Sequence, residues 1–386
     1  MDTTRRTFCT QAVSTLLASQ LFGQSSSAPP PSGSSTRPNV AAIDHDRILA
    51  AADRYLTQPP TPLTALLADR SPGPDHDFYS EPADQPNPFI AHRDALFALG
   101  HIVPALTAAY VITKDERYAK QAVVHLQAWF VTSETVMTPT LEFAQVAISA
   151  KTGRPEGVIE GLPLVEIAQS IPFLSNSEAF APAVLDTVTK WFVSYLDWLN
   201  TSRTAGLARD MRDHNGSSWL LQASACAKIN LKDDRPLSVL RHQFRSSTLR
   251  AQIVYDGNFP RELATTNPYR NSLFNLDMLA GVCELLSTRF ESVWEYELQD
   301  GPSMRNAVAR LFPFMGNRSS WPYRADSAFF TQLPLRRPAL LFAARAYNRP
   351  EYADLWKTLP PDAPNPELDR TFPIRQPLLW VTRPRL

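Results

Sequence analysis

A chain of 386 residues, 44% hydrophobic and 20% charged, has room for one large folded domain or two ordinary ones, and its composition is that of a globular protein. Lys plus Arg and Asp plus Glu number 38 each, so the formal net charge is zero, which argues against a nucleic-acid-binding protein with its usual basic surplus. No Cys/His cluster has the spacing of a zinc site, and nothing in the sequence calls for a metal or a cofactor.

At the N-terminus, Arg5 and Arg6 precede Phe8 and a modestly apolar run broken by Gln11, Ser14 and Gln20. Residues 1–24 have the layout of a twin-arginine export signal, which would place the mature protein in the periplasm or outside the cell; a basic start followed by a short helix fits the same residues. The run is too short and polar for a membrane span, and no later stretch reads as long enough to be one, so no integral membrane span is expected. Residues 25–38, rich in Ser and Pro, read as a flexible linker, leaving 39–386 as a single domain.

From there the hydrophobic spacing is helical. Helices are predicted over 94–112, 117–130, 163–174, 181–200, 217–229, 236–254, 272–289, 302–313 and 335–347, and no alternating strand pattern of useful length competes. Consecutive amphipathic helices with short loops read as stacked antiparallel hairpins, so the expected fold is all-α, an incomplete α/α toroid. Cys226 and Cys283 fall in apolar helical stretches and read as buried free thiols; a disulfide between them would need a geometry that sequence does not show.

Several segments share a recognisable pattern. HDFYSE covers 76–81, and a long hairpin covers 92–130, closing on AWF. MTPTLEFAQ begins at Met137 and GRPEGVIEG ends at Gly161. HNGSSWLLQ covers 214–222, YDGNFPRELATTNPYRNSLFNLDML covers 255–279, and FPIRQPLLW covers 372–380. In this order they resemble the alginate-lyase domain family, over about residues 70–382. The resemblance implies an α/α-toroid polysaccharide lyase acting on a uronic-acid-containing glycan. It also implies a substrate partner that is an acidic polysaccharide or oligosaccharide, and a neutral total charge leaves room for a local basic cleft to hold one.

The departures sit where the family carries its chemistry. Family members continue after the Ser-Glu pair into a Tyr-Trp-Trp-Pro stretch, whereas here Glu81 is followed by PADQPNP. Counting back from Gln222, the family's catalytic His falls on Asn215 and its second Asn on His214. Counting back from Phe274, the family's Arg falls on Thr265 and its Tyr on Asn271. Residues of the missing types stand next door as His214, Tyr269 and Arg270.

Such a lyase removes the proton α to a uronate carboxylate and expels the glycosidic oxygen. It needs donors that neutralise the carboxylate, a base and an acid. The expected catalytic residues are therefore His214 as base or neutraliser, Asn215 as carboxylate donor and Tyr269 as acid or base. Arg270, Arg93, Trp219, Gln145 and Tyr79 are the expected substrate-binding residues. Plainer readings stand beside these: His214 and Asn215 in a helix cap, Tyr269 and Trp219 as packing residues, Arg270 as a solvated charge, and Arg93 paired with Asp94 or Asp77. Two other functions fit the same segments. One is a glycoside hydrolase using two of Asp213, Asp256 and Glu262, and the other is a non-catalytic acidic-glycan-binding protein.

Overall fold

The computed structural model describes residues 35–230 and 233–384. The expected export signal and most of the expected linker lie outside them.

The folded region opens with two short helices, α1 (Val40–Ile43) and α2 (His45–Asp53). The first long hairpin is α3 (Ala91–Thr113) and α4 (Glu116–Phe130). Lys114, in the left-handed region at φ 60°, ends α3, and the Asp115 carboxylate caps α4 by accepting from the Arg117 amide. Next come α5 (Pro163–Leu174), α6 (Pro182–Thr201) and α7 (Arg203–Arg209), the last capped by Ser202. The buried helix α8 (His214–Ile229) follows, then α9 (Arg235–Gln243), a π-turn, and α10 (Leu249–Gln252). The C-terminal half adds α11 (Pro260–Leu263), α12 (Pro268–Leu286), α13 (Met304–Gly316), α14 (Pro338–Ala346), α15 (Pro350–Thr358), α16 (Pro366–Asp369) and α17 (Leu378–Val381). No strand forms among the described residues beyond two isolated bridges, Tyr79 with Phe143 and Glu297 with Ser303.

Helices α3, α5, α8, α12 and α14 make an inner layer in which each packs on the next. Cross-contacts fix the direction of three of them. His214 meets Phe274, a β-carbon on Gly281 would meet Leu221, and Lys228 donates to the Leu285 carbonyl, so α8 and α12 run the same way. Asp277 holds the Ala339 amide and Arg337, and Glu284 holds Arg345, so α12 and α14 do too. Helices α4, α6, α13 and α15 pack outside them. Residues 35–384 are thus the all-α toroid of hairpins that the sequence led us to expect.

The core is dominated by large side chains, including Trp129, Trp219, Trp356, Tyr195 and Phe192. Full burial of a Phe-sized side chain stabilises by roughly 1.5–3 kcal/mol, so these rings anchor the layer contacts. Cys226 and Cys283 are buried free thiols. One expectation needs correction. α3 and the stretch Pro155–Leu174 are long and apolar enough to cross a bilayer. They are 67% and 83% buried within the fold, however, and their apolarity is explained by packing on other helices.

Two helix starts differ from the sequence expectation in ways that matter for the site. α8 begins at His214 rather than 217, because Asp213 is extended and its carboxylate takes the Asn215 amide. α12 begins at Pro268 rather than 272. Pro268 fixes the first-turn φ, and the Asp326 carboxylate accepts from the amides of Tyr269 and Arg270 at 2.8 and 2.9 Å.

Candidate active site

Because α8 starts at His214, that residue stands in the first turn, with its backbone N–H unclaimed by the helix. Glu262 of α11 takes it. One carboxylate oxygen accepts the His214 amide at 2.7 Å, and the other meets His214 Nδ1 at 2.9 Å. Asn275 of α12 also donates to Glu262, at 3.3 Å, and to Gln252 at 2.9 Å; Gln252 in turn donates to the Asp213 carbonyl. The Glu262 side chain is wholly buried, whereas that of His214 keeps 23% exposure. The carboxylate thus fixes the imidazole with Nδ1–H inward, leaving Nε2 on the opposite edge of the ring as the nitrogen that a substrate can reach.

Burial pulls the His214 pKa down, but the hydrogen bond and charge of Glu262, helped by Asp213, outweigh it, and the net effect is a pKa above the ordinary histidine value. Arg270 opposes the rise, so its guanidinium lies within electrostatic reach of the ring. Arg270 is mostly buried, pairs with Glu367 at 3.2 Å, and lies over the Phe329 ring.

A second polar group forms at the start of α3 and the 145–160 loop. Arg93 lies 3.5 Å from Asp94, which also receives Arg370 at 2.8 Å. Both guanidiniums face buried Glu160, whose pKa is raised by burial in spite of hydrogen bonds from Ser80 and Gln145 and of the two positive charges. Helix α16 and the residue after it join the two groups, with Glu367 reaching Arg270 and Arg370 reaching Asp94. Arg370 and Glu160 were not singled out by sequence. Glu160 lies in the GRPEGVIEG segment, which named no role for it, and Arg370 stands two residues before the tail segment that starts at Phe372.

Several expected site residues are corrected by their surroundings. Tyr269 is 0% exposed, its hydroxyl donates to the Phe314 carbonyl at 2.9 Å, and burial holds its pKa far above the ordinary value. It packs against Trp321 and Phe330 and is a core residue, because starting α12 at Pro268 turns position 269 inward. Trp219 is 1% exposed and donates Nε1–H to the Leu199 carbonyl, so it offers no face to a sugar. Tyr79 is buried and donates to Glu81 at 2.6 Å; burial, then Glu81, push its pKa up to about 12. The Asn215 side chain folds back on Asp213 at 3.1 Å and completes the helix cap. Gln145, with φ 55°, donates to Glu160 and accepts from Arg154, which locks the loop. His214, Arg93 and Arg270 keep 23%, 17% and 13% of their side chains exposed.

The three carboxylates named for a hydrolase are each held in local contacts. Both Glu262 oxygens are engaged by His214 and Asn275, Asp213 caps α8, and Asp256 holds Asn258 within its turn. No group of three or more potential metal ligands comes together among the described residues.

An all-helical toroid with a buffered histidine and flanking arginines at the ends of its inner helices is the architecture of a helical polysaccharide lyase. The family model described as alginate lyase matches residues 36–321, and the chain belongs to that family. The match starts earlier than the quoted motifs and stops before the tail. Among solved structures, an alginate lyase from Bacteroides ovatus superposes with a TM-score of 0.76 at 25% identity, covering 88% of this chain and 93% of that one. Alginate lyase A1-III from Sphingomonas species A1 shares the fold at 16% identity and a TM-score of 0.56, covering 88% and 91%. A variant of A1-III complexed with a tetrasaccharide does so at 13% and 0.52, covering 88% and 94%. No curated protein matches the chain.

Proposed function

We propose that this protein cleaves a uronic-acid-containing, alginate-like glycan by β-elimination, with His214 as the proton-transfer residue and Glu262 as the residue that positions it. The observation that carries this reading is the contact of His214 Nδ1 with a buried carboxylate at 2.9 Å, which aims Nε2 outward at the N-terminal end of an inner helix.

In the reaction, Nε2 takes the proton α to the sugar carboxylate. The electron pair passes into the carboxylate as an enolate, re-forms as a carbon–carbon double bond, and breaks the bond to the glycosidic oxygen. That oxygen receives a proton, and with Tyr269 buried the imidazolium itself is the donor at hand. Glu262 stabilises the imidazolium, as its effect on the His214 pKa requires. Arg270 and Arg93 supply positive charge for the substrate carboxylate, and the positive end of α8 adds to it. The products are an unsaturated non-reducing end and a new reducing end.

The family membership and the tetrasaccharide in the related A1-III complex support a polymeric acidic substrate. The Arg5–Arg6 layout supports action outside the cytoplasm. The test is incubation of the protein with alginate, polyglucuronate, hyaluronan and heparan-type chains, reading the ultraviolet band of unsaturated uronate. A rise with one of them is expected. New reducing ends without that band would identify a hydrolase, and tight binding with neither product would identify a glycan-binding protein.

A further inference from the structure

A cavity of about 420 Å3, with no His214 in its lining, lies in the seam where α2 and α3 face α14, α15 and the tail before α17. Its walls carry four arginines against three aspartates. Arg47, Arg54, Arg336 and Arg375 line it, against the carboxylates of Asp44, Asp362 and Asp369. Asp44 is shared by Arg47 and Arg336, and Asp369 by His101 and Arg375. Arg54 forms no ion pair among the described residues and leaves the cavity with a spare positive charge.

The cavity wall also carries unmet hydrogen-bonding groups of both kinds. Gln376 is 6% exposed, and its buried Oε1 accepts from no described residue. Arg375 Nε is buried without a hydrogen-bond partner, since Asp369 is 3.7 Å away, and Arg47 Nε is likewise unmet. The tail is pinned so that these groups stay in the wall, because the backbone amides of Arg375 and Gln376 both donate to Glu166 of α5. Aromatic rings also stand at the cavity and its neighbouring groove. Arg336 stacks on Trp356, which also lines the cavity, and Arg375 stacks on Phe97. A neighbouring cavity of about 300 Å3 shares Tyr55 and His101 and carries the groove along α3 to Asp94. From Ala105 to Asp94 that path is about 16 Å long at the helical rise.

Free guanidinium donors for a carboxylate, a buried amide oxygen for a hydroxyl, and ring faces nearby match one kind of ligand. We infer that the seam cavity is a second, non-catalytic site for a short acidic saccharide, with its carboxylate at Arg54 and Arg375 and a hydroxyl donating to Gln376 Oε1. The inference rests on the functional reading above for the choice of a uronate, and the cavity it fills is lined by none of His214, Glu262, Arg270 and Arg93.

The experiment is calorimetric titration of the full chain carrying His214→Ala with saturated mannuronate disaccharide, so that no turnover intrudes. Binding is expected, weakened about tenfold or more by adding Arg54→Glu, and similarly by Gln376→Leu. Arg54 is exposed, so its replacement tests the site even if Gln376→Leu impairs folding. Cellobiose, neutral and of similar size, is expected not to compete. An isotherm unchanged by Arg54→Glu, or equal binding of cellobiose, overturns the inference. Disaccharide binding at the seam in a protein that eliminates no polymer would instead overturn the functional reading and leave this one standing.

Discussion

At the scale of single residues, the account turns on which groups face solvent. Tyr269 and His214 were read from the same kind of evidence, a reactive residue type standing beside a displaced family position. The fold separates them, since Tyr269 is fully enclosed and the His214 side chain keeps 23% exposure. Tyr269→Phe should therefore leave elimination essentially unchanged and cost about 1 kcal/mol of stability for the lost bond to the Phe314 carbonyl; chemical denaturation beside an activity assay checks both. His214→Ala should lower turnover about a hundredfold or more, in a protein whose circular dichroism still shows the helical fold. The raised His214 pKa also has a consequence for stability. A histidine whose folded value exceeds its unfolded one stabilises fully below the ordinary histidine value, and that contribution is lost as pH rises through the raised value. Stability measured across that window should fall more in the parent than in Glu262→Gln.

At the scale of elements, helix ends decide what the site contains. Asp326 caps α12 from a distant loop, and this long-range contact is why the start at Pro268 could not be read from local sequence. Apolar periodicity marked 272 as the first clear helical position, whereas a carboxylate 56 residues beyond Arg270 extends the helix by a turn. Asp326→Ala should destabilise by about 1–2 kcal/mol in thermal unfolding, as removal of other helix caps does. The inner layer has its own polar joint. Arg337 and Asp277 are fully buried and bond at 3.1 Å between α14 and α12. Arg337→Met would leave a carboxylate buried without its partner, with an expected loss of roughly 3–5 kcal/mol; a smaller loss than replacement of Asp277 and Arg337 together would contradict that picture. The turn that precedes α11 is equally constrained. Gly257 has φ +82°, and a β-carbon there would lie 2.2 Å from the Asn306 carbonyl oxygen. Gly257→Ala should lower the unfolding midpoint and, by shifting α11, loosen Glu262 from His214.

At the scale of the whole molecule, the fold was legible because helical periodicity runs through nearly every long segment, and predicted spans such as 163–174 match the helix exactly in extent. The short helices were not legible, since four-residue elements such as α11 and α16 carry no periodic signal, yet these two supply Glu262 and Glu367 to the site. Glu262 was visible as a carboxylate in the REL stretch but not as the partner of His214, because 48 residues separate them and no local pattern reports such a pair. The departures after Glu81 and at Thr265 and Asn271 were legible as losses. What replaces them was only half legible, since sequence proximity to a motif does not say which side chain the fold exposes. The central claim is that His214, tuned by Glu262, carries the elimination, and the pH dependence of kcat/KM tests it most directly, read by unsaturated-uronate absorbance on whichever polymer is cleaved. The account predicts an acid limb above the ordinary histidine value in the parent protein, moved to lower pH and to a reduced plateau in Glu262→Gln. An acid limb at the same pH in both proteins would contradict it.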